Sequence, residues 1–320
     1  MKQILNILSS CLLPPGQLPV DSGAIGKNYV RRRAKGRVGA AFAAFLLCGM
    51  FAAAAEPVLD SLKIQGQMRR FWMYMPEGIQ KDAPLVFVLH GYSNPGKKET
   101  WMNKAAEAHK FAVCVPHGWK DPKGKPSWNV GYPFQEGWKM DEVAGMEQLA
   151  KYVQKKYHLS RKNTFMTGMS NGGEMCYLTA YSKQKTFKAV APVSGLTMEW
   201  IYRTMDAPKP MPLFEIHGTA DHTSEWDGDL ENKGGWGAYM SVPIAIGYWI
   251  AKNKCERETV EHVDGLNKDN GRSIIKHKYT GGPTGCEVWL YEVINGPHSW
   301  FDHDIDTGEE IWSFFSKYIE

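Results

Sequence analysis

Eleven residues, Asn163 to Gly173, read N-T-F-M-T-G-M-S-N-G-G. A short β-branched and aromatic run stops at Gly168-Met169-Ser170-Asn171-Gly172, and a helix-like stretch follows without a spacer. A strand that turns at once into a helix is the setting in which the G-x-S-x-G pattern carries meaning. At the tip of so tight a turn the serine backbone is strained, and a side chain two residues to either side would collide, which accounts for both glycines. The turn exposes the Ser170 hydroxyl and leaves the Asn171 N–H at a helix N-terminus, where negative charge is stabilised.

The rest of the chain supplies the sheet that such a turn needs. Residues 84–91, 111–116 and 189–195 are continuous rather than alternating apolar runs, as expected of strands buried on both faces of a parallel sheet, and 213–218 and 288–294 read as further strands. Residues 99–110, 141–156 and 242–252 read as helices, and Thr307-Gly-Glu-Glu310 opens a last one as a capping box. Residues 62–75 alternate, as one or two half-buried strands do. Strand and helix alternate without internal repeats, which predicts one α/β domain over 56–320, a mostly parallel central sheet with helices on both faces. The irregular stretch 117–138 holds Trp119, Trp128, Tyr132, Phe134 and Trp138. It reads equally as a functional loop and as aromatic packing beneath one.

Charge is unevenly spread. Residues 1–55 carry seven basic side chains against Asp21 alone, and the remainder holds 31 basic and 33 acidic ones, a net −2. No basic field remains to attract nucleic acid. Arg31 to Lys35 and Arg37 precede an apolar run from Val38 to Ala55 that ends in small residues. This predicts a leader over 1–55: a basic region at 27–37, an apolar segment at 38–55, and cleavage after Ala55 into an oxidising compartment, with no stable membrane association afterwards. An uncleaved anchor is the alternative. Beyond Ala55, Cys255 at the end of a helix and Cys286 at the start of a strand could close a disulfide loop, while Cys114 and Cys176 lie in apolar segments as buried thiols.

A serine becomes a nucleophile when an imidazole takes its proton, and the imidazole needs a carboxylate to set its tautomer. On a sheet of this kind those groups follow later strands in the order serine, acid, histidine. His298, in Asn295-Gly-Pro-His-Ser-Trp300, follows the strand 288–294 and is the expected base. His217 lies inside its own turn, too early to follow an acid, and His303 sits in an acidic run. Asp221, three residues beyond Gly218, is the expected carboxylate, with Asp206 and Asp227 worse placed. The oxyanion of an acyl-transfer intermediate needs two N–H donors, and the backbones of Asn171 and Tyr92, just after His90-Gly91, are the candidates. His90 reads as structural. Trp128, Trp226, Trp236 and Trp300 are candidate substrate contacts. No cysteine or histidine spacing matches a metal site; Asp302-x-Asp304-x-Asp306 lacks the glycine of a calcium loop and reads as a solvated turn.

Taken together, L-H-G at 89–91, G-M-S-N-G-G at 168–173, H-G-T-A-D at 217–221 and N-G-P-H-S-W at 295–300 resemble the polyhydroxybutyrate depolymerase-like esterases. That group shares the α/β-hydrolase fold with carbohydrate esterase family 1. The resemblance spans nearly all of 60–320 and implies a Ser170–His298–Asp221 triad working by two-step acyl transfer without metal or organic cofactor. It also implies the Cys255–Cys286 bridge. The block 225–239 is similar to secreted feruloyl-esterase-type members, implying ester-bearing plant polysaccharide as substrate, in feruloyl or acetyl form. Hydroxybutyrate oligomers are the alternative, and an inactive carbohydrate-binding protein on the same scaffold a third reading.

Overall fold

The computed structural model describes residues 56–320, so the leader and its cleavage site lie outside the described residues. The chain opens with a hairpin, β1 (Val58–Ile64) and β2 (Gln67–Tyr74), then β3 (Leu85–Leu89), α1 (Met102–His109) and β4 (Ala112–Pro116). Two short strands, β5 (Trp119–Lys120) and β6 (Pro126–Ser127), form a separate ribbon before α2 (Glu142–Lys156). Then come β7 (Thr164–Met169), α3 (Asn171–Tyr181), β8 (Val190–Val193), α4 (Glu199–Thr204), β9 (Leu213–Gly218) and α5 (Val242–Asn253). β10 (Arg257–Asp264), β11 (Ser273–Thr280), β12 (Val288–Ile294) and α6 (Thr307–Ser316) complete it.

Ten strands form one sheet in the order β1-β2-β4-β3-β7-β8-β9-β12-β11-β10. The six from β4 to β12 run parallel, and an antiparallel pair closes each edge. Three of the parallel strands, β3, β4 and β8, are continuous apolar runs, while β7 and β9 also bury polar side chains, Thr164, Thr167, Glu215 and His217. Because successive side chains alternate faces, Leu85, Phe87 and Leu89 of β3 join one core layer and Val86 and Val88 the other. The first layer is covered by α2, α3 and α5, and the second by α1 and α6. Among the described residues no helix is long and apolar enough to cross a membrane.

Two strands were not legible in the sequence, and three sequence expectations need revision. β10 and β11 give no apolar run to read: β10 is exposed at seven of its eight positions, because an edge strand with one wet face need not be apolar. The last helix is capped by Asp306, whose carboxylate accepts from Glu309 N–H, while the Thr307 hydroxyl donates to the Trp300 carbonyl at 2.8 Å. Asp304 is buried rather than solvated, paired with Arg272 at 3.1 Å. Cys255 and Cys286 are neighbours but unbridged: the Cys255 thiol turns to the Cys286 carbonyl at 3.6 Å and the Cys286 thiol to the Thr284 carbonyl at 4.0 Å. Cys114 and Cys176 are buried free thiols.

The ion pair between Arg69 and Glu142 has no exposed side-chain surface. The Arg69 guanidinium of β2 meets the Glu142 carboxylate of α2 at 2.6 Å, and its Cζ lies over the Trp119 ring, 3.5 Å from the ring centre. Removing one member strands the other charge in a dry site. Glu142→Ala is expected to lower unfolding free energy by about 3–5 kcal/mol, measured by denaturant titration. A loss below about 1 kcal/mol would mean that the pair is hydrated.

Candidate active site

Ser170 sits between β7 and α3 with φ 54° and ψ −124°, a conformation that non-glycine residues avoid. The neighbouring backbone enforces it. The Ser170 N–H donates to the Val193 carbonyl of β8 at 2.9 Å. A Cβ at Gly168 would lie 2.5 Å from the Gly172 carbonyl oxygen, and one at Gly172 would lie 2.5 Å from that of Leu89. No side chain fits either position, so the turn requires both glycines.

Beside it runs the turn that follows β3. Gly91 packs against Ser170, with space for a Cβ only at contact distance, 3.4 Å from the serine's own Cβ. The N–H groups of Tyr92 and Asn171 have no protein acceptor among the described residues. They flank Ser170 from two different strands' ends and remain available to an anion.

His298 and Asp221 come from the loops after β12 and β9. His298 Nδ1 and Asp221 Oδ2 are 2.7 Å apart. The second Asp221 oxygen accepts the N–H groups of Thr223 and Ser224, each at 2.8 Å. Burial opposes the charge on Asp221, but these bonds and His298 hold its carboxyl below the ordinary aspartate value. It therefore accepts from Nδ1–H and leaves Nε2 of His298 free to take a proton. Ser170 and His298 line one cavity of about 470 Å³; no hydrogen bond joins them here, and such contacts commonly tighten only when substrate binds. Asp206 stands apart, exposed and paired with Lys252 at 2.8 Å.

The four candidate tryptophans divide evenly. Trp236 and Trp300 line the cavity, joined by Tyr92 and by Trp101, which the sequence reading did not single out. Trp101 packs edge-on against Trp300 on one wall, and Tyr92 against Trp236 on the other. Trp226 packs against the core beside His217, away from the cavity. Trp128 cannot touch a substrate either, being wholly buried. Its indole N–H donates to the His90 carbonyl at 2.8 Å, and its backbone is clamped by the Asn171 side chain, N–H to Oδ1 at 2.8 Å and Nδ2–H to the carbonyl at 3.2 Å. Trp128 thus ties the serine turn to the Tyr92 turn. His90 adds a third tie: its Nε2 accepts the Gly118 N–H at 2.8 Å, and burial pushes its pKa down to about 4, so it stays neutral.

Glu174, one turn into α3, completes this support, accepting from the Tyr132 hydroxyl and the Asn171 amide. Burial pushes its carboxyl up to about 7 despite those bonds. Because the folded value lies above the ordinary 4.5, the stability it contributes is complete below 4.5 and is lost as pH rises through about 7. Glu174→Gln stays uncharged throughout. Its stability relative to the parent is expected to rise by on the order of 3 kcal/mol from about pH 4.5 to about pH 8. Chemical unfolding at several pH values measures this; a difference independent of pH would show Glu174 ionised in the fold.

Comparison with known proteins agrees with this architecture. Residues 63–245 match the family model described as "Putative esterase". A bifunctional acetylxylan esterase/xylanase of Neocallimastix patriciarum is 24% identical over 82% of this chain and 35% of its own length. A probable feruloyl esterase C of Aspergillus niger is 30% identical over 55% of this chain and 63% of its own. A poly(3-hydroxyalkanoate) depolymerase C of Paucimonas lemoignei is 23% identical, covering 58% and 43%. The chain thus spans less than two thirds of the length of each of these relatives. Among solved structures, the acetyl xylan esterase from Aspergillus awamori superposes with a TM-score of 0.55 at 12% identity over 81% of this chain and 99% of that one. An S-formylglutathione hydrolase from Agrobacterium tumefaciens gives 0.54 at 13%, covering 83% and 96%. By its sheet, its serine turn and the family model that covers more than half of it, this chain belongs to the esterase family and has the α/β-hydrolase fold.

Proposed function

We propose that the protein is a serine carboxylic-ester hydrolase. The observation that carries this is a cavity lined by both Ser170, at a strained strand-to-helix turn, and His298, which a buried Asp221 holds at 2.7 Å from behind. Ser170 attacks the ester carbonyl as His298 Nε2 takes its proton, and the oxyanion rests on the Tyr92 and Asn171 N–H groups. The alcohol leaves with the proton from His298, and water then releases the acid by the same steps. An oxyanion donor of this kind contributes about 10²–10³-fold in rate.

The substrate we infer is a feruloyl or acetyl ester on plant cell-wall polysaccharide. The names of the fungal relatives support it, and so do the two aromatic walls, Trp101–Trp300 and Tyr92–Trp236, which suit a planar acyl group or a sugar ring. Hydroxyalkanoate oligomers are the second reading, supported by the Paucimonas relative. The basic and apolar leader supports export with cleavage after Ala55.

A panel of methyl ferulate, acetylated xylan, p-nitrophenyl acetate and hydroxybutyrate oligomer tests these readings together. Ser170→Ala is expected to lower turnover at least about 10⁴-fold. Trp236→Ala should raise KM for methyl ferulate about 3- to 10-fold while leaving p-nitrophenyl acetate nearly unaffected. Turnover of the oligomer alone would favour the second reading. Xylan binding with no turnover of any ester, unchanged in Ser170→Ala, would make this a binding protein. N-terminal sequencing of exported protein should begin at Glu56; an intact Met1 rules out cleavage.

A further inference from the structure

The carboxylate that holds His298 is itself held from behind. His217 is the penultimate residue of β9, its ring wholly buried, and its Nε2 lies 3.8 Å from Asp221 Oδ2, the same oxygen that His298 contacts. Nε2 also lies 2.8 Å from the Ser224 carbonyl, and Nδ1 lies 2.7 Å from Glu215 Oε1. A carbonyl oxygen only accepts, so Nε2 carries a proton. Glu215 is buried too, and receives the Tyr177 hydroxyl at 3.1 Å and the Gly195 N–H at 3.2 Å. Burial raises the Glu215 carboxyl above its ordinary value, while these two donors and His217 favour its ionised form; beside an ionised Glu215, Nδ1 carries a proton as well.

We propose that His217 is a positioning residue for the Asp221–His298 pair: a buried cation, neutralised by Glu215, that anchors the Asp221 loop through Ser224 and tempers the negative charge Asp221 presents to His298. The proposal rests on the reading of Ser170, His298 and Asp221 as a triad. Four groups of alternating sign and polarity then run inward from the cavity: His298, Asp221, His217 and Glu215. Burial works against the charge on His217, yet the hydrogen bond and charge of Glu215 outweigh it and raise its pKa above the ordinary histidine value. The other titratable groups near the ring are Asp221 from its own loop and Tyr177 of α3, acting through Glu215; the side chain of Glu292, its register partner on β12, is engaged with His277 at 3.2 Å. Trp226 lies edge-on to the ring at 6.0 Å and helps to cover it.

The sign of the effect follows from the geometry. A positive charge behind Asp221 weakens the pull of that carboxylate on the proton of His298. Without it, the catalytic base holds its proton to higher pH, and the acid limb of the pH–rate profile moves up.

Two measurements test this. In the full chain labelled with ¹⁵N-histidine, with the His217 signal assigned by its loss in His217→Gln, both ring nitrogens are expected to be protonated near neutral pH. A neutral-tautomer signal overturns the proposal. Separately, kcat/KM for p-nitrophenyl acetate is followed against pH in Glu215→Gln, which keeps the shape but removes the counter-charge, and in His217→Gln. In both, the acid limb should move up by about half a pH unit or more, roughly a threefold loss of rate on that limb. Folded variants with an unmoved acid limb would reduce His217 to a structural role and overturn the proposal. Retained turnover in Ser170→Ala would sink the triad reading instead, and the spectrum of His217, which does not depend on activity, separates the two failures.

Discussion

The site depends on how closely α3 lies on the sheet. A Cβ at Gly172 would reach 2.5 Å from the Leu89 carbonyl oxygen, and one at Gly173 would reach 2.7 Å from Gly195 Cα, so backbone touches backbone on both sides of the helix start. Such contact is open only to glycine. It brings the ends of β3, β7 and β8 together, and with them the Tyr92 turn, Ser170 and Asn171. The strain in the Ser170 backbone is held by this packing: the local conformation is unfavourable, and the surrounding hydrogen bonds and close approaches leave no other.

Around that contact the protein spends buried polar groups freely. Trp128, Asn171, His90, Tyr132 and Glu174 form a hydrogen-bonded plug that joins the long loop 117–138 to both turns of the cavity. On the far side, Glu215, His217 and Asp221 form a second buried set under His298. Each buried group is costly alone and tolerable when paired, so such sets define one geometry rather than an ensemble. The proposed triad needs its groups held to a fraction of an ångström, and these two buried networks meet that need.

The long loop shows why reading function from aromatic residues is hard. Its tryptophans and tyrosines were equally consistent with a binding surface and with packing, and the structure divides them. Trp119, Trp128 and Tyr132 are buried, and the cavity wall comes instead from Tyr92, Trp236, Trp101 and Trp300, which belong to three other segments. Nothing in the local pattern around Trp101, at the head of a short helix, distinguishes it from a core residue. Likewise β10 and β11 carry no continuous apolar run, since an edge strand buries little, and the neighbouring thiols of Cys255 and Cys286 turn to different carbonyls.

What the sequence determined by itself was whatever rests on local order. Continuous apolar runs specify strands buried on both faces, because the side-chain period of a strand leaves no other way to bury every residue. The G-x-S-x-G turn specifies its own backbone, because only glycine fits its flanks. The order serine, aspartate, histidine after later strands singled out Asp221 and His298, which lie 2.7 Å apart in the fold, because parallel connections bring the ends of β7, β9 and β12 to one edge. The tertiary structure decided what depends on distance between segments far apart in sequence: which tryptophans face the cavity, that Asn171's side chain clamps Trp128, and that His217 stands behind Asp221. Those contacts arise from side-chain packing in three dimensions, and a sequence pattern of fixed period carries no record of them.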